Sequence, residues 1–196
     1  YRTNAQSRPV EEALVRRRIP YRLIGGVRFY ERREVKDLVA YLRLIHNRFD
    51  EASFLRVVNT PTRGIGSRTI EHLRAWAGAY GQRLGDACDA LVRGTPIPGV
   101  SGRSAGSLRA FLEGIEQLRT EPVDSLPDLY DRVIVFSGYE RHLLDSNDNA
   151  DERLENITQL RAVLDQYTAL TPDSDGSLAA FLQDVALVAD VDELDG

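Results

Sequence analysis

The sequence predicts a mainly helical chain with a small α/β piece at its start. From Glu31 onward, apolar residues recur at i, i+3, i+4 and i+7 in segment after segment, the spacing of one face of an amphipathic helix. The breaks between those segments read RGTPIPGVSG, TEPVDSLP, DSNDN and TPDSDG. Such Gly, Pro, Ser and Asp clusters stop or cap helices. Only YRLIGG and VRFY, near the start, read as short extended pieces, with Gly25 and Gly26 forming a turn.

Residues 1–4 resemble the exit of a strand. Ser7 and Pro9 are helix start signals, EEALVRRR continues as a short helix to about Arg18, and Pro20 ends it. Val35, Leu38, Val39, Leu42 and Ile45 fall on one helical face, which predicts a helix from Glu31 to His46. A second helix covers Glu51 to Val58, until Pro61, Gly64 and Gly66 interrupt it. A third starts near Ser67, with Ile70, Leu73, Trp76 and Ala77 on one face. Further helices are predicted over 84–93, 102–119, 125–137, 150–169 and 177–189, with no internal repeat.

No apolar run approaches the length of a membrane span, and residues 1–20 have no apolar core of a signal peptide. The single cysteine, Cys88, excludes an internal disulfide and a cysteine zinc site. It reads as a small buried apolar residue, and an intracellular protein is the simplest fit. The chain opens on Tyr1 and contains no Met, so it reads as a piece of something longer.

Charge is split along the chain. Residues 1–80 hold 16 Lys+Arg against 8 Asp+Glu, whereas residues 81–196 hold 9 against 22. A polyanion would therefore be met by the first part. Of the 25 cations only Lys36 is lysine. Arginine suits bidentate phosphate contact, although so lopsided a ratio also follows from genomic base composition.

Enzyme chemistry is largely missing. There is no GxxxxGK[ST], HExxH, GxSxG or EF-hand loop. His46, His72 and His142 lack metal-ligand spacing, and the carboxylates after residue 120 form no specific acid/base pair.

One segment carries physical meaning. FLRVVNTPTRGIGSRTIEHLRAWA reads as helix, RGIG turn, helix, and resembles a helix-hairpin-helix DNA-binding element. Gly64 and Gly66 let the backbone approach a ligand closely. Ile65 can plug into the core between the helices. Gly66 or Ser67 opens the next helix, whose free N–H groups and dipole attract phosphate. Arg63 and Arg68 flank the turn, and Thr60 and Thr62 add hydroxyl donors. These groups address phosphate, so the expected binding is independent of base sequence and sensitive to salt. The plain alternative is an ordinary interhelical turn that uses glycine for geometry.

Taken together, YRTNAQSRPVEEAL, IPYRLIGGVRFYERREVKDLVAYLRLI and FLRVVNTPTRGIG, in this order, resemble the UvrD/PcrA/Rep family of superfamily 1 DNA helicases. SGYERHL, DERLENITQL and SLAAFLQDVALVADVDELDG are similar to that family as well, so the likeness covers essentially the whole chain. The resemblance implies the start of a RecA-like domain, 2A, over residues 1–40. The helical accessory domain 2B would follow over 41–190, with a connector back toward 2A over 191–196. It implies a parent ATP-dependent helicase moving 3′ to 5′, acting in repair or replication with ATP and Mg2+. The nucleotide motifs would lie elsewhere, so this piece alone would be inactive and hold no cofactor.

The resemblance also assigns duplex contact ahead of the fork to Thr60, Thr62, Arg63, Gly64, Ile65, Gly66, Ser67 and Arg68. It implies that 2B swivels and can restrain unwinding. The expected partners are double-stranded DNA, single/double-strand junctions, the rest of the motor and a possible repair protein, without a membrane. The expected place is the bacterial cytoplasm, associated with the nucleoid.

Arg2 and Asn4 lie where the 2A strand would end, which makes a single-strand contact there about as expected as a simple turn. Arg28, Arg32, Arg33 and Lys36 sit among Glu31 and Glu34, so local salt bridges compete with phosphate contact. Arg153 and Asn156 share a helix face, read as an ordinary one. Phe29, Tyr30 and Trp76 could stack on bases, but core packing is the simpler reading. Two other readings stay open: a protein-docking or autoregulatory domain using the acidic half, and a free-standing duplex-binding module.

Overall fold

A computed structural model describes residues 29–146, 149–170 and 177–193. After a 3-10 turn at Phe29–Glu31, the described residues form nine α-helices. They are α1 Arg33–His46, α2 Glu51–Val57, α3 Ser67–Ala79, α4 Leu84–Val92 and α5 Gly102–Thr120, then α6 Leu126–Ser137, α7 Tyr139–Asp145, α8 Ala150–Leu170 and α9 Leu178–Glu193. No strand occurs among the described residues; an isolated antiparallel bridge joins Ile97 and Val100. The expected helix to Arg18, the YRLIGG turn, Arg2, Asn4, Arg28 and the chain end after residue 193 lie outside the described residues. Phe29 and Tyr30, expected as extended, lie instead in the 3-10 turn, where Phe29 is buried.

Helix α1 is the axis of the fold. It packs against α2, α5, α6, α8 and α9, so its burial exceeds the single stripe that the apolar spacing predicts. Ala40, Tyr41 and Leu44 are buried with Val35, Leu38, Val39, Leu42 and Ile45, and so are Glu34 and Asp37. Position 40 falls inside this continuous helix. A core from Phe29 through Leu108, Phe111, Leu160 and Leu164 to Val185 surrounds it.

Local chemistry sets the helix ends. Asp50 caps α2 by accepting from the Ser53 amide at 2.9 Å, and Ser125 caps α6 by accepting from the Asp128 amide at 3.2 Å. Helix α3 stops in a Schellman turn, with Gln82 N–H donating to Ala77 O at 2.8 Å and Gly81 N–H to Gly78 O at 3.2 Å. Gly81 takes φ +62° there, which a side chain would resist.

Two buried polar groups tie α1 to the later helices. Glu34 Oε1 accepts from Asn156 Nδ2 at 2.5 Å, and its Oε2 pairs with Arg153 Nε at 3.3 Å. Arg32 donates to Asn156 Oδ1, and Arg153 Nη1 to Ser146 Oγ at 3.3 Å. The face of α8 that carries Arg153 and Asn156 is therefore an internal joint and not an ordinary exposed face. Asp37 accepts from Tyr139 Oη at 2.5 Å and pairs with Arg56 at 2.8 Å. Arg33 and Lys36 remain exposed.

Cys88 is buried, as its composition reading expects. Burial first, then Asp89 and Glu51, pushes the thiol up to about 12. At about pH 8 the thiolate fraction is then roughly one in ten thousand, and the thiolate is the reactive form. The folded chain should resist Ellman's reagent for hours and react at once in denaturant. Rapid labelling of the folded chain would contradict this placement.

Candidate nucleic-acid interface

The segment between α2 and α3 has an inner and an outer face. On the inner face, Ile65 is 2% exposed and anchors the turn in the core. Asn59 Oδ1 accepts from the amides of Arg63 at 2.7 Å and Ile65 at 3.2 Å. Tyr41 of α1 donates its hydroxyl to Thr60 O at 2.6 Å. Burial raises the Tyr41 phenol above its ordinary value, while the nearby Arg63 pulls the other way, so at neutral pH the hydroxyl keeps its proton.

The Arg63 side chain also turns inward. Its Nη1 donates to Val57 O at 3.0 Å and Pro61 O at 3.1 Å. Its Nη2 donates to Tyr41 Oη at 2.7 Å and reaches Ser137 O at 3.5 Å. The guanidinium carbon lies 4.9 Å from the centre of the Phe111 ring, a cation–π distance. One arginine thus joins α1, α2, α5 and the end of α6.

On the outer face, Thr62, Gly64, Gly66, Ser67 and Arg68 are exposed. Gly64 holds φ +75°, and space is open where a Cβ would stand at Gly64 and at Gly66. Gly66 is the N-cap of α3 and supplies no side-chain cap. The first amides of a helix have no carbonyl one turn back to bond. No acidic residue occupies the first turn of α3, so no carboxylate of that turn offsets the positive end of its dipole. Arg68 forms no ion pair among the described residues. The surface is a shallow, positive, hydrogen-bond-donating turn, suited to an anion that arrives from solvent.

All eight residues from Thr60 to Arg68 expected at this site therefore share one turn, but they divide. Ile65 and the Arg63 side chain face inward, and Thr60 is half-buried. Asn59, Tyr41, Phe111 and Ser137 complete the turn and escaped the sequence reading. Asn59 alone had a local signal, since Asn bonds backbone amides in turns; the other three are distant in sequence.

A second concavity, a cleft of about 380 Å³, lies among Arg48, Phe49, Cys88, Asp89 and Leu112. Four of its charged side chains are paired, Arg48 with Asp89 at 3.0 Å inside the cleft, and Glu51 and Glu116 with Arg74 and Arg119 outside it, each at 2.6 Å. Trp76 and Tyr30 pack partly buried on the core.

The fold and sequence together define a helical domain of the DNA-helicase class. The chain belongs to the UvrD-like helicase C-terminal domain family, which it matches over residues 1–195. It is 41% identical over 207 residues to the ATP-dependent DNA helicase UvrD1 of Mycobacterium tuberculosis (strain ATCC 25618 / H37Rv), covering 99% of this chain and 27% of that protein. It is 42% identical over 195 residues to DNA helicase II of Escherichia coli (strain K12), covering 96% and 26%. To the ATP-dependent DNA helicase PcrA of Bacillus subtilis (strain 168) it is 37% identical over 197 residues, covering 100% and 26%. The chain thus spans about a quarter of the length of the curated relatives it matches. Among the described residues no helix is long and apolar enough to cross a membrane, and no His/Cys/Asp/Glu cluster could hold a metal ion.

Proposed function

We propose that this chain is the duplex-DNA-binding and regulatory accessory region, 2B, of an ATP-dependent 3′–5′ DNA helicase that acts in repair or replication. Residues 1–40 begin the RecA-like domain 2A, 41–190 form 2B and 191–196 lead back. Helix α1 crosses the first of these boundaries and couples the two parts. The observation that carries the reading is the outer face of the turn: the Ser67 and Arg68 amides ahead of the first bonded one at Thr69, and the exposed Thr62, Ser67 and Arg68 side chains, with no carboxylate in the first turn of α3. These groups suit the phosphate backbone of any duplex sequence, through a helix-hairpin-helix-like element. ATP and Mg2+ find no GxxxxGK[ST] loop here, and no carboxylate cluster among the described residues. In this reading they belong to the rest of the helicase. Its setting is the bacterial cytoplasm at the nucleoid, with junction DNA, the motor domains and a repair protein as partners.

Fluorescence anisotropy of the 196-residue chain tests this, using a blunt duplex, a single strand and a duplex with a 3′ tail at two salt concentrations. Both duplexes should bind, more weakly at higher salt. Arg68→Ala should bind about tenfold less tightly, and its salt slope should be shallower by about 0.9 for one lost phosphate contact. Absence of duplex binding at low salt, with retention of a protein partner instead, would favour the docking reading that the acidic residues 81–196 allow.

A further inference from the structure

We infer that Arg63 is a positioning residue for the phosphate contact and not a phosphate ligand, and that it works with Tyr41 and Asn59. This rests on the duplex-binding reading above and assigns the labour within it. The motif alone suggests the opposite, because an arginine beside a glycine turn invites a phosphate.

The geometry argues for an internal strut. The Arg63 guanidinium donates to carbonyls of Val57, Pro61 and Ser137 and to the Tyr41 hydroxyl. Its face lies on Phe111. Reaching a phosphate outside would break all of these contacts and open the buried Tyr41, which is 0% exposed. The Arg63 partners named here are neutral oxygens, so the cation is held by dipoles. Val57 and Val58 end α2, where the helix dipole is negative. Arg63 covers the α2 carbonyls of Val57 and Val58, so that negative end is not presented to an approaching phosphate. Asn59 completes the device by holding the Arg63 and Ile65 amides inward. Gly64, between those two amides, and Gly66, just after them, then face solvent.

Two measurements on the 196-residue chain decide the assignment. The first is amide hydrogen exchange over residues 59–68, which needs no DNA. Arg63→Lys keeps the charge but loses the planar fork, and Tyr41→Phe removes one hydroxyl that never reaches the surface. Each should speed exchange of the Arg63 and Ile65 amides by about tenfold or more. Unchanged exchange in both variants would overturn the proposal. The second is duplex affinity against salt. Arg63→Lys and Arg63→Ala should each weaken binding about tenfold with the wild-type salt slope, because no phosphate contact is lost. Tyr41→Phe should weaken it in the same direction and less than additively with Arg63→Lys. A slope shallower by about 0.9 in Arg63→Ala, with near-normal affinity in Arg63→Lys, would make Arg63 a ligand and overturn the proposal. If the wild-type chain binds no duplex, the functional reading fails, and the exchange result still decides whether Arg63 holds the turn.

Discussion

Replacing Glu34 by alanine is expected to destabilise the chain by about 3–5 kcal/mol, the cost of breaking a buried ion pair from one side. Glu34 is 4% exposed and bonds both Arg153 and Asn156. Arg153 already leaves its Nη2 buried without a hydrogen-bond partner. Without Glu34 its cation would keep only the Ser146 hydroxyl among the contacts described above. Asn156 would lose the acceptor of its amide protons, and an unmade buried hydrogen bond adds to the loss. Domains of this kind have a total stability of roughly 5–15 kcal/mol, so the variant should lose a large fraction of it. Urea unfolding followed by Trp76 emission measures the loss. Glu34→Gln, which keeps the shape and one amide contact to Asn156, should lose less than Glu34→Ala. A loss below about 1 kcal/mol for Glu34→Ala would mean that the joint between α1 and α8 is not closed in solution.

Glu34 also shows where sequence reading stops. Its neighbours Arg32, Arg33 and Lys36 suggest local pairing at helical spacing, yet its partners are 119 and 122 residues away. Helices are legible because periodicity is local: α1 to α6, α8 and α9 all lie close to where apolar spacing and breaker residues put them. Helix α7 has no start signal of its own in the sequence because it follows directly on Gly138, which ends α6 in the left-handed region at φ +67°. A glycine there looks like the end of helical structure, although it caps one helix and opens the next. The turn after α2 was legible in the same partial way. Ile65 between two glycines announces a plug, and its burial follows. The direction of Arg63 depends on Tyr41, Phe111 and Ser137, from three other helices, and no local pattern encodes their arrival.

Gly66→Asp is expected to abolish duplex binding while leaving the fold as stable as before or slightly more so. Gly66 is the N-cap of α3, at φ −85° and ψ 168°, a conformation any residue adopts. Open space surrounds the position of its missing Cβ, so aspartate enters without a clash. Aspartate is among the preferred N-cap residues, and the exchange from glycine should add a few tenths of a kcal/mol. The same carboxylate would take the α3 amides offered to phosphate and place a negative charge beside them. Two unit charges about 5 Å apart near a protein surface repel by roughly 3 kcal/mol, more than a hundredfold in affinity. Gly66→Asn separates the two effects, since it occupies the amides without the charge and should lose only the amide contribution. Thermal unfolding beside anisotropy provides both readouts on the same samples. Duplex binding by Gly66→Asp at wild-type strength, with the fold intact, would remove the α3 N-terminus from the interface. The contact would then have to be sought on another face of the basic first part of the chain.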